Sequence, residues 1–400
     1  MDLLIRKARA FGYQGIVDIA VKGDRIADIG ENLQVAGKRE IDAGGKFVSP
    51  GLVNPHAHLD KALLYDRFSP NLRRGTLSEK IVATREIKKT MTAEDVKNRS
   101  LQVIKMAVKT GTTAIRTFVE ADPLVEMRAV EGMLSAKKEA KEWLDLQTIA
   151  FAQEGWFNSP GSMEMGCEEY VIEALKAGAD VIGGNVNRGV WPSSPEKQVD
   201  RMFQIAREFD CDVDMHLDNA DTPEAFALPY VVQKTVECGY QGRVAAGHVI
   251  GIAHVEKKVR DETIKKVKEA GLSVVVLPQR IRLTCVRELV QGGVNVAVGT
   301  DNIRNTFAFL GSANLVYFML LLAELLGVQT DEELVEIYKM GTVNAARAMR
   351  LKDYGLEKNK KADLVVFDAP SAQETIINQA QCLYVIKNGR LLVDGGRCLI

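Results

Sequence analysis

The stretch Asn54-Pro55-His56-Ala57-His58-Leu59-Asp60-Lys61 follows a short apolar run and holds two of the chain's five histidines. In an extended chain, side chains two residues apart point to the same side, so His56 and His58 can face one ion together. Imidazoles are common ligands of first-row divalent metals. The stretch therefore predicts the end of a buried strand that carries part of a metal site.

Eight short apolar runs, the first of which leads into this stretch, alternate with longer amphipathic and charged segments. The runs span residues 47–55, 112–119, 146–152, 180–185, 212–216, 243–248, 272–277 and 294–299. The segments between them, such as 93–110 and 195–209, have the periodicity of helices. Eight strand–helix units predict an α/β fold, a (β/α)₈ barrel of the TIM type, with its active site at the C-terminal ends of the strands.

Both ends of the chain read as short strands separated by turns that contain glycine. These predicted strands span residues 3–8, 16–21, 25–29, 362–367 and 382–393. Lys387-Asn388-Gly389-Arg390 predicts a hairpin, because Asn-Gly suits the positive φ angles of a type I′ turn. We therefore expect a small β-sandwich domain formed from both termini (residues 1–49 plus 355–400) and a metal-dependent barrel domain of residues 50–354.

Three further polar residues lie at the ends of other predicted strands. His216 ends the fifth run, His248 ends the sixth, and Asp301 lies just beyond the eighth. In a barrel, these positions open onto the same face as the histidine pair. A single histidine is more often a hydrogen-bonded core residue, but five such groups on one face favour a site for a divalent metal. His254 has no place in this arrangement, and we interpret it as structural.

Composition limits the class of protein. The net charge of -1 leaves no basic excess for binding nucleic acid or an anionic membrane. Six cysteines without a C-x-x-C pair are typical of reduced thiols, and the N-terminus lacks the apolar region of a signal peptide. The apolar run 315–328 is too short to span a bilayer and predicts a packed barrel helix. We expect a cytoplasmic protein with neither nucleic acid nor membrane as a partner.

Several motifs together resemble the amidohydrolase superfamily. They are Pro55-His56-Ala57-His58-Leu59-Asp60-Lys61, the later His216 and His248, and Gly299-Thr300-Asp301-Asn302. The terminal β segments around a barrel match that superfamily too, so the resemblance covers nearly the whole chain. It implies a hydrolase that acts on C–N bonds.

Other segments narrow the resemblance to one branch. Phe151-Ala152-Gln153-Glu154-Gly155 and Leu310-Gly311-Ser312-Ala313-Asn314 resemble cytosine deaminases. Lys61, Asp301-Asn302-Ile303-Arg304 and Val385-Ile386-Lys387-Asn388-Gly389-Arg390 are more similar to N-isopropylammelide isopropylaminohydrolase, an s-triazine hydrolase of the same branch. The resemblance thus implies a nitrogen heterocycle as the small-molecule substrate.

The resemblance also implies roles for the polar residues. One divalent metal ion, zinc or iron, would be held by His56, His58, His216 and Asp301. The fourth run contains no lysine that could be carbamylated to bridge two metals, so one ion is expected. Asp301 would in addition act as the general base, and His248 would orient the attacking water or stabilise the tetrahedral centre.

Four residues are expected to contact the substrate. Gln153 would read the ring edge, since an amide offers both a donor and an acceptor; without the resemblance, a solvated loop residue is an equal alternative. Phe307 would form an aromatic wall, and Asn302 and Asn219 would border the ring. We interpret Trp156 as an ordinary core residue rather than a second aromatic wall.

The sequence departs from the cytosine deaminase pattern at Asn219, where those enzymes carry a proton-shuttling glutamate. An amide cannot transfer a proton as a carboxylate does. Three alternatives stay open: Asp218 turns inward, Lys61 acts as a catalytic residue instead, or the leaving group needs less help. Lys61 could equally pair with Asp60 or another acid at the barrel rim. Phe118 is a second departure, because related enzymes tend to carry a histidine after the second strand.

These observations favour a hydrolase that cleaves an exocyclic C–N bond of a pyrimidine, pterin or s-triazine, by deamination or dealkylamination. One alternative is hydrolysis of a cyclic amide, which opens the ring and releases no amine. Another is a catalytically inactive scaffold of the same fold, although such proteins usually lose metal ligands and every expected ligand is present. We also expect a homo-oligomer.

Overall fold

The computed structural model describes residues 1–75, 77–278 and 283–400. Its strands, in chain order, are β1 (Leu3–Ala10), β2 (Val17–Lys22), β3 (Arg25–Gly30), β4 (Arg39–Asp42), β5 (Phe47–Pro50), β6 (Leu52–Ala57), β7 (Thr112–Glu120), β8 (Asp145–Ala152), β9 (Val181–Val186), β10 (Asp212–Leu217), β11 (Val244–His248), β12 (Ser273–Val276), β13 (Asn295–Val298), β14 (Leu364–Phe367), β15 (Cys382–Lys387), β16 (Arg390–Asp394) and β17 (Arg397–Cys398).

The helices connect and cover these strands. They are α1 (Leu77–Thr90), α2 (Ala93–Lys109), α3 (Arg128–Glu139), α4 (Glu168–Ala177), α5 (Pro195–Phe209), α6 (Leu228–Glu237), α7 (Lys257–Glu269), α8 (Val286–Gln291), α9 (Leu315–Leu326), α10 (Asp331–Met340), α11 (Val343–Ala348) and α12 (Ala372–Ile377). Short 3₁₀ turns lie at Pro70–Arg74, Ala140–Glu142, Pro223–Ala225 and Gly251–His254.

Strands β6 to β13 form one parallel sheet in which chain neighbours pair in order. A parallel bridge between Ala57 and Asp301 joins the first strand to the segment after the last. At this bridge the Asp301 N–H donates to the His56 carbonyl at 3.0 Å. The predicted (β/α)₈ barrel is confirmed, and its closing contact involves residues of the expected metal site.

Burial on two sides explains why the barrel strands could be recognised. Every residue of β7 is buried, because the barrel interior covers one face and helices cover the other. Helix α5 shows the complementary pattern. It begins after Ser194, whose side chain accepts from the Lys197 N–H, and Pro195 occupies its first turn. Most of its apolar side chains are buried, together with Gln198, while most of its charged ones are at least partly exposed.

The terminal strands form a second sheet in the order β17-β16-β15-β14-β5-β1-β2-β3, with β4 also paired to β1. Strand β1 joins the two halves: its first part pairs with β4 and its last residues pair with β5. Between them Lys7 has a φ of 54° at an irregularity in the strand. Buried side chains from both termini share one apolar core. The small β unit expected from both termini is therefore present, whereas the domain limits stay a prediction.

One predicted strand is wrong in its extent. The run 47–55 is two strands: β5 belongs to the terminal sheet and only β6 belongs to the barrel. The chain passes from one sheet to the other at Gly51. A Cβ added there would lie 2.1 Å from Oγ1 of Thr113, so this position has no room for a side chain. Since both strands are buried, the hydrophobic pattern does not separate them.

Two other expectations can be compared with the structure. The predicted hairpin joins β15 to β16, and its turn residues Asn388 and Gly389 have φ angles of 48° and 75°, as a type I′ turn requires. The apolar run at 315–328 forms α9, which packs on α10 and α12. Among the residues that the structure describes, no helix is both long and apolar enough to cross a membrane.

Candidate metal centre and active site

Four side chains converge at the C-terminal end of the barrel. They are His56 on β6, His58 just after it, His216 on β10 and Asp301 after β13, and one potential ligand atom from each lies within 4.8 Å of the other three. Nε2 of His58 lies 3.0 Å from Nε2 of His216. Oδ1 of Asp301 lies 3.3 Å from Nε2 of His58 and 3.8 Å from Nε2 of His56. The structure thus brings together the four residues predicted from the sequence as ligands.

The chemistry of these side chains fits a metal ion. Burial lowers the pKa of His56 and of His216 well below the usual histidine value, so both imidazoles are neutral and keep a nitrogen lone pair. Nδ1 and Nε2 of His56, and Nδ1 of both His58 and His216, are buried without a hydrogen-bond partner among the described residues. Buried polar atoms are costly when unsatisfied, and the unpaired Nε2 of His56 lies 3.8 Å from Oδ1 of Asp301 within the cluster, so this set of side chains fits a metal ion.

Asp301 is held ionised within the cluster. Burial opposes its ionisation, but the hydrogen bond from His58 and the neighbouring imidazoles outweigh that effect and lower the pKa of the carboxyl below its usual range. The Nδ2 group of Asn302 also donates to Oδ1 of Asp301 at 2.8 Å, and Asn305 in turn donates to Asn302 at 2.7 Å. The carboxylate is therefore oriented as well as charged, which suits a ligand that also accepts a proton.

His248 ends β11 beside the cluster. Its backbone has a φ of 73°, which is unusual for a residue with a side chain. Its ring centroid lies 5.0 Å from that of His216 and 5.7 Å from that of His56. The imidazole borders the cavity described next, a position that suits the predicted role of orienting water or a tetrahedral centre.

A cavity of about 330 Å³ opens over the cluster. Its wall includes all seven residues predicted to act on or bind a substrate: Lys61, Gln153, Asn219, His248, Asp301, Asn302 and Phe307. His56 lies behind this wall and is fully buried. Trp156 is 1% exposed and packs in the apolar core, as interpreted from the sequence. Phe118 is also buried, with its ring centroid 4.4 Å from those of His56 and His216.

Asn219 borders the cavity, but Asp218 does not. The carboxylate of Asp218 accepts hydrogen bonds from the backbone N–H groups of Ala227 and Leu228, at 2.8 and 3.0 Å. Burial raises the pKa of this carboxyl to about 7, against the opposing effect of those two bonds. The alternative in which Asp218 turns inward is therefore wrong. The backbone N–H of Asn219 donates to Oδ1 of Asn187 at 2.6 Å, which fixes this part of the wall.

Lys61 is buried and paired. Only 3% of the residue is exposed, its Nζ donates to Oε1 of Glu120, and the Phe307 ring centroid lies 5.3 Å away. The acid that pairs with Lys61 is thus Glu120 rather than Asp60. Asp60 instead accepts from the backbone N–H groups of Lys61 and Glu120, at 2.8 and 3.0 Å.

The sequence analysis missed several polar residues of the cavity wall. They are Glu120 at the end of β7, Glu154 shortly after β8, and Asn185 and Asn187 at the end of β9. Each follows a predicted barrel strand at its C-terminal end, and that position was the available signal. At the ends of the predicted strands, only histidine and aspartate were considered as metal-site residues, because both are common metal ligands. The glutamates and asparagines at these four positions were not considered.

Comparison with known proteins agrees with this geometry. The model of the amidohydrolase family matches residues 71–393. The chain is 34% identical over 401 residues to the N-isopropylammelide isopropyl amidohydrolase of Pseudomonas sp. (strain ADP), covering 98% of this chain and 97% of that protein.

Two solved structures have nearly the same fold. N-isopropylammelide isopropylaminohydrolase from Burkholderia multivorans superposes with a TM-score of 0.90 at 28% identity, covering 99% of each chain. The 5-methylcytosine deaminase from Klebsiella pneumoniae, liganded with 5-fluorocytosine, gives a TM-score of 0.90 at 26% identity, covering 98% of this chain and 97% of that one.

Proposed function

The chain belongs to the amidohydrolase family, and on that premise we propose that it removes an amino or alkylamino group from a nitrogen heterocycle by metal-dependent hydrolysis. The observation that carries the proposal is the convergence of three histidines and one aspartate beneath a cavity lined with amide side chains. The names of the relatives place N-isopropylammelide and 5-methylcytosine among the substrates of similar enzymes. Both molecules carry an exocyclic C–N bond.

His56, His58, His216 and Asp301 are the proposed ligands of one divalent ion, zinc or iron. When bound, the ion acts as a Lewis acid and makes a hydroxide nucleophile available near neutral pH. Neutral imidazoles with unsatisfied nitrogens and an ionised carboxylate form the donor set that such an ion prefers. The six-residue strand β9 contains no lysine, so a carbamylated bridging lysine is not available at that position.

Asp301 is the proposed general base. Asn302 donates to Oδ1 of its carboxylate at 2.8 Å, which holds the group in one orientation as it takes the proton of the attacking water. The ring of His248 lies beside the histidine cluster, with its centroid 5.0 Å from that of His216 and 5.7 Å from that of His56. From there its imidazole can donate a hydrogen bond to the oxygen of the tetrahedral centre, which lowers the barrier to attack.

Lys61 is the proposed proton donor to the departing amine. Asn219 stands in the cavity wall where cytosine deaminases carry glutamate, and an amide has no proton to transfer at neutral pH. Asp218 points away from the cavity, whereas Lys61 borders it and carries an ammonium group that can transfer a proton. This assignment distinguishes the chain from a glutamate-dependent deaminase.

Gln153, Asn219 and Asn302 are the proposed readers of the ring edge, and Phe307 supplies an aromatic face. Amide groups offer donors and acceptors in pairs, which suits the alternating nitrogen and oxygen atoms of a pyrimidinone or an oxo-triazine. A cavity of about 330 Å³ is within the range that holds one small ring with a short substituent. A homo-oligomer and a cytoplasmic location belong to the same proposal.

The test is an assay of amine or ammonia release by purified protein across pyrimidines, pterins and N-alkylated triazines. Protein stripped with a chelator should lose this activity and regain it with zinc or iron, and elemental analysis should find one ion per chain. Metal-dependent ring opening without release of an amine would favour the cyclic-amide alternative. Absence of any bound metal would favour the inactive scaffold.

A further inference from the structure

Beside the metal cluster lies a second buried group of polar side chains, formed by three acids and three bases. Lys61, Arg85, Lys88, Glu120, Asp122 and Glu154 make up this group, which we call the charge cluster. Lys88, on α1, contacts Oε2 of Glu120 at 2.6 Å, Oδ2 of Asp122 at 2.7 Å and Oε1 of Glu154 at 2.7 Å. Arg85, one turn earlier, donates to Oε2 of Glu154 at 2.7 Å.

Glu120 occupies the centre of the charge cluster because its two oxygens serve different lysines. Oε1 accepts from Lys61, which borders the cavity, and Oε2 pairs with Lys88. Lys61, Lys88 and Glu120 are each no more than 3% exposed. Because both oxygens of this buried carboxylate are paired, Glu120 has a single orientation. Its contact therefore also fixes the position of the Lys61 amino group.

The backbone on both sides of this contact is fixed as well. One carboxylate, that of Asp60, accepts from the N–H groups of Lys61 and Glu120, at 2.8 and 3.0 Å. Glu120 ends strand β7, and Lys61 lies in the turn four residues after β6, the neighbour of β7 in the barrel. The shared bonds to the Asp60 carboxylate therefore hold the backbones of the two residues close to each other.

We infer that Glu120 is a positioning residue that directs the amino group of Lys61 into the cavity, and that Lys88 and Asp60 hold Glu120 in place for this purpose. The inference rests on the proposed function of Lys61 as proton donor to the leaving amine. A free lysine side chain has several rotatable bonds and samples many positions. A donor that must reach one leaving group gains rate from being held within reach of it.

Electrostatics supports this role. Burial opposes ionisation of Glu120, but the nearby Lys61 and Lys88 outweigh it and lower the pKa of the carboxyl to about 2. Burial also opposes the charged form of Lys88, yet Glu120, Asp122 and Glu154 raise the pKa of its amino group well above the usual value. The three acids balance the three bases, so the cluster keeps its charges without a counter-ion from solvent.

The experiment compares Glu120→Gln with Asp122→Asn. Glutamine is uncharged and has an NH₂ group in place of one carboxylate oxygen, so it cannot hold Lys61 and Lys88 together as the carboxylate does. Asparagine at 122 removes one partner of Lys88 only, and its oxygen keeps the bonds from the Leu124 and Val125 N–H groups. Asp122 does not contact Lys61 in the described structure, which makes it a matched control for the loss of a buried charge.

Two readouts are needed. The first is kcat for amine release, which should fall about 100-fold in Glu120→Gln with little change in KM and stay unchanged in Asp122→Asn. The second is reductive methylation of Lys61 with formaldehyde and cyanoborohydride, followed by peptide mass spectrometry, which requires no turnover. Methylation of Lys61 should become several-fold faster in Glu120→Gln and remain slow in Asp122→Asn.

Unchanged methylation of Lys61 in Glu120→Gln would overturn the inference, as would an equal loss of kcat in both variants. If wild-type protein releases no amine from any compound tested, the proposed function fails, whereas the methylation arm still decides whether Glu120 holds Lys61. Should Glu120→Gln not fold, the charge-balanced pair Glu120→Gln with Lys88→Met replaces it, again beside Asp122→Asn as its control and with the same results expected.

Discussion

The two sides of the cavity differ in how completely their buried polar groups are paired within the protein. On the metal side, both ring nitrogens of His56 and Nδ1 of His58 and of His216 have no hydrogen-bond partner among the described residues. On the side of the charge cluster, Glu120 and Lys88 are fully paired within the protein. The first arrangement becomes favourable only when an ion completes it, whereas the second is complete when the chain folds. A binding site can thus be recognised by what its own residues leave unsatisfied.

This difference predicts that the two sides respond differently to mutation. Loss of a metal ligand should abolish turnover and leave most of the fold intact, since the cluster contributes little to stability without its ion. Loss of Lys61 or Glu120 from the charge cluster should reduce turnover less and affect stability more, because a buried charge is left without its partner.

The largest effect is expected for Asp301→Ala. The variant loses both a metal ligand and the general base, so kcat/KM for amine release should fall by more than about 10⁴-fold. The fold should be retained, as checked by circular dichroism and thermal unfolding. Asp212→Ala is the matched control, since Asp212 lies at the start of β10, at the opposite end of the barrel, and pairs with Arg243 and Arg350. Near-normal turnover in Asp301→Ala would contradict the role of this residue.

The next largest effect tests the other side of the cavity. Lys61→Met should lower kcat by about 10²- to 10⁴-fold, the usual contribution of a general acid, while the metal content stays at the wild-type level. Elemental analysis beside steady-state kinetics measures both quantities. Lys89→Met, at an exposed lysine of α1, should behave as wild type. Unchanged kcat in Lys61→Met would remove this residue from the reaction.

A stability measurement as a function of pH separates the two sides without any substrate. Folding lowers the pKa of Glu120, so its carboxylate stabilises the fold above its ordinary pKa of 4.5, and this contribution is lost as the pH falls towards about 2. The loss amounts to roughly 3 kcal/mol over that window. Urea unfolding at a series of acidic pH values gives the free energy of unfolding at each pH. This free energy should change less steeply with pH in Glu120→Gln than in the wild-type protein.

The control for this measurement is Glu126→Gln, because the side chain of Glu126 is 64% exposed in the segment that follows β7. This variant should keep the wild-type dependence on pH. If Glu120→Gln also keeps the wild-type dependence on pH, the pairing of Glu120 with its two lysines does not stabilise the fold.

The smallest effect is expected for a residue that only reads the substrate. Gln153→Ala should raise KM about tenfold with little change in kcat, which corresponds to the loss of one hydrogen bond. Gln204→Ala, on the exposed face of α5, is the control and should leave KM unchanged. A fall in kcat with unchanged KM would instead indicate that Gln153 acts on the transition state.

Much of the fold followed from local pattern. Barrel strands are buried on both faces, so they are continuous apolar runs, and the runs were found within one or two residues of β7 to β13. The rule that active sites lie at the C-terminal ends of barrel strands then placed His56, His216 and Asp301 on one face. The first run was wrong because two consecutive buried strands, β5 and β6, have one hydrophobic pattern.

The sequence by itself determined the barrel, the terminal β unit and the identity of the candidate metal cluster, because each depends on residue type and spacing along the chain. Tertiary structure alone decided that Lys61 pairs with Glu120, 59 residues away, and that Asp218 turns from the cavity to bind backbone N–H groups. Those contacts depend on strand register and on side-chain direction at the barrel rim. They are set by packing between distant segments, which no local pattern of residues records.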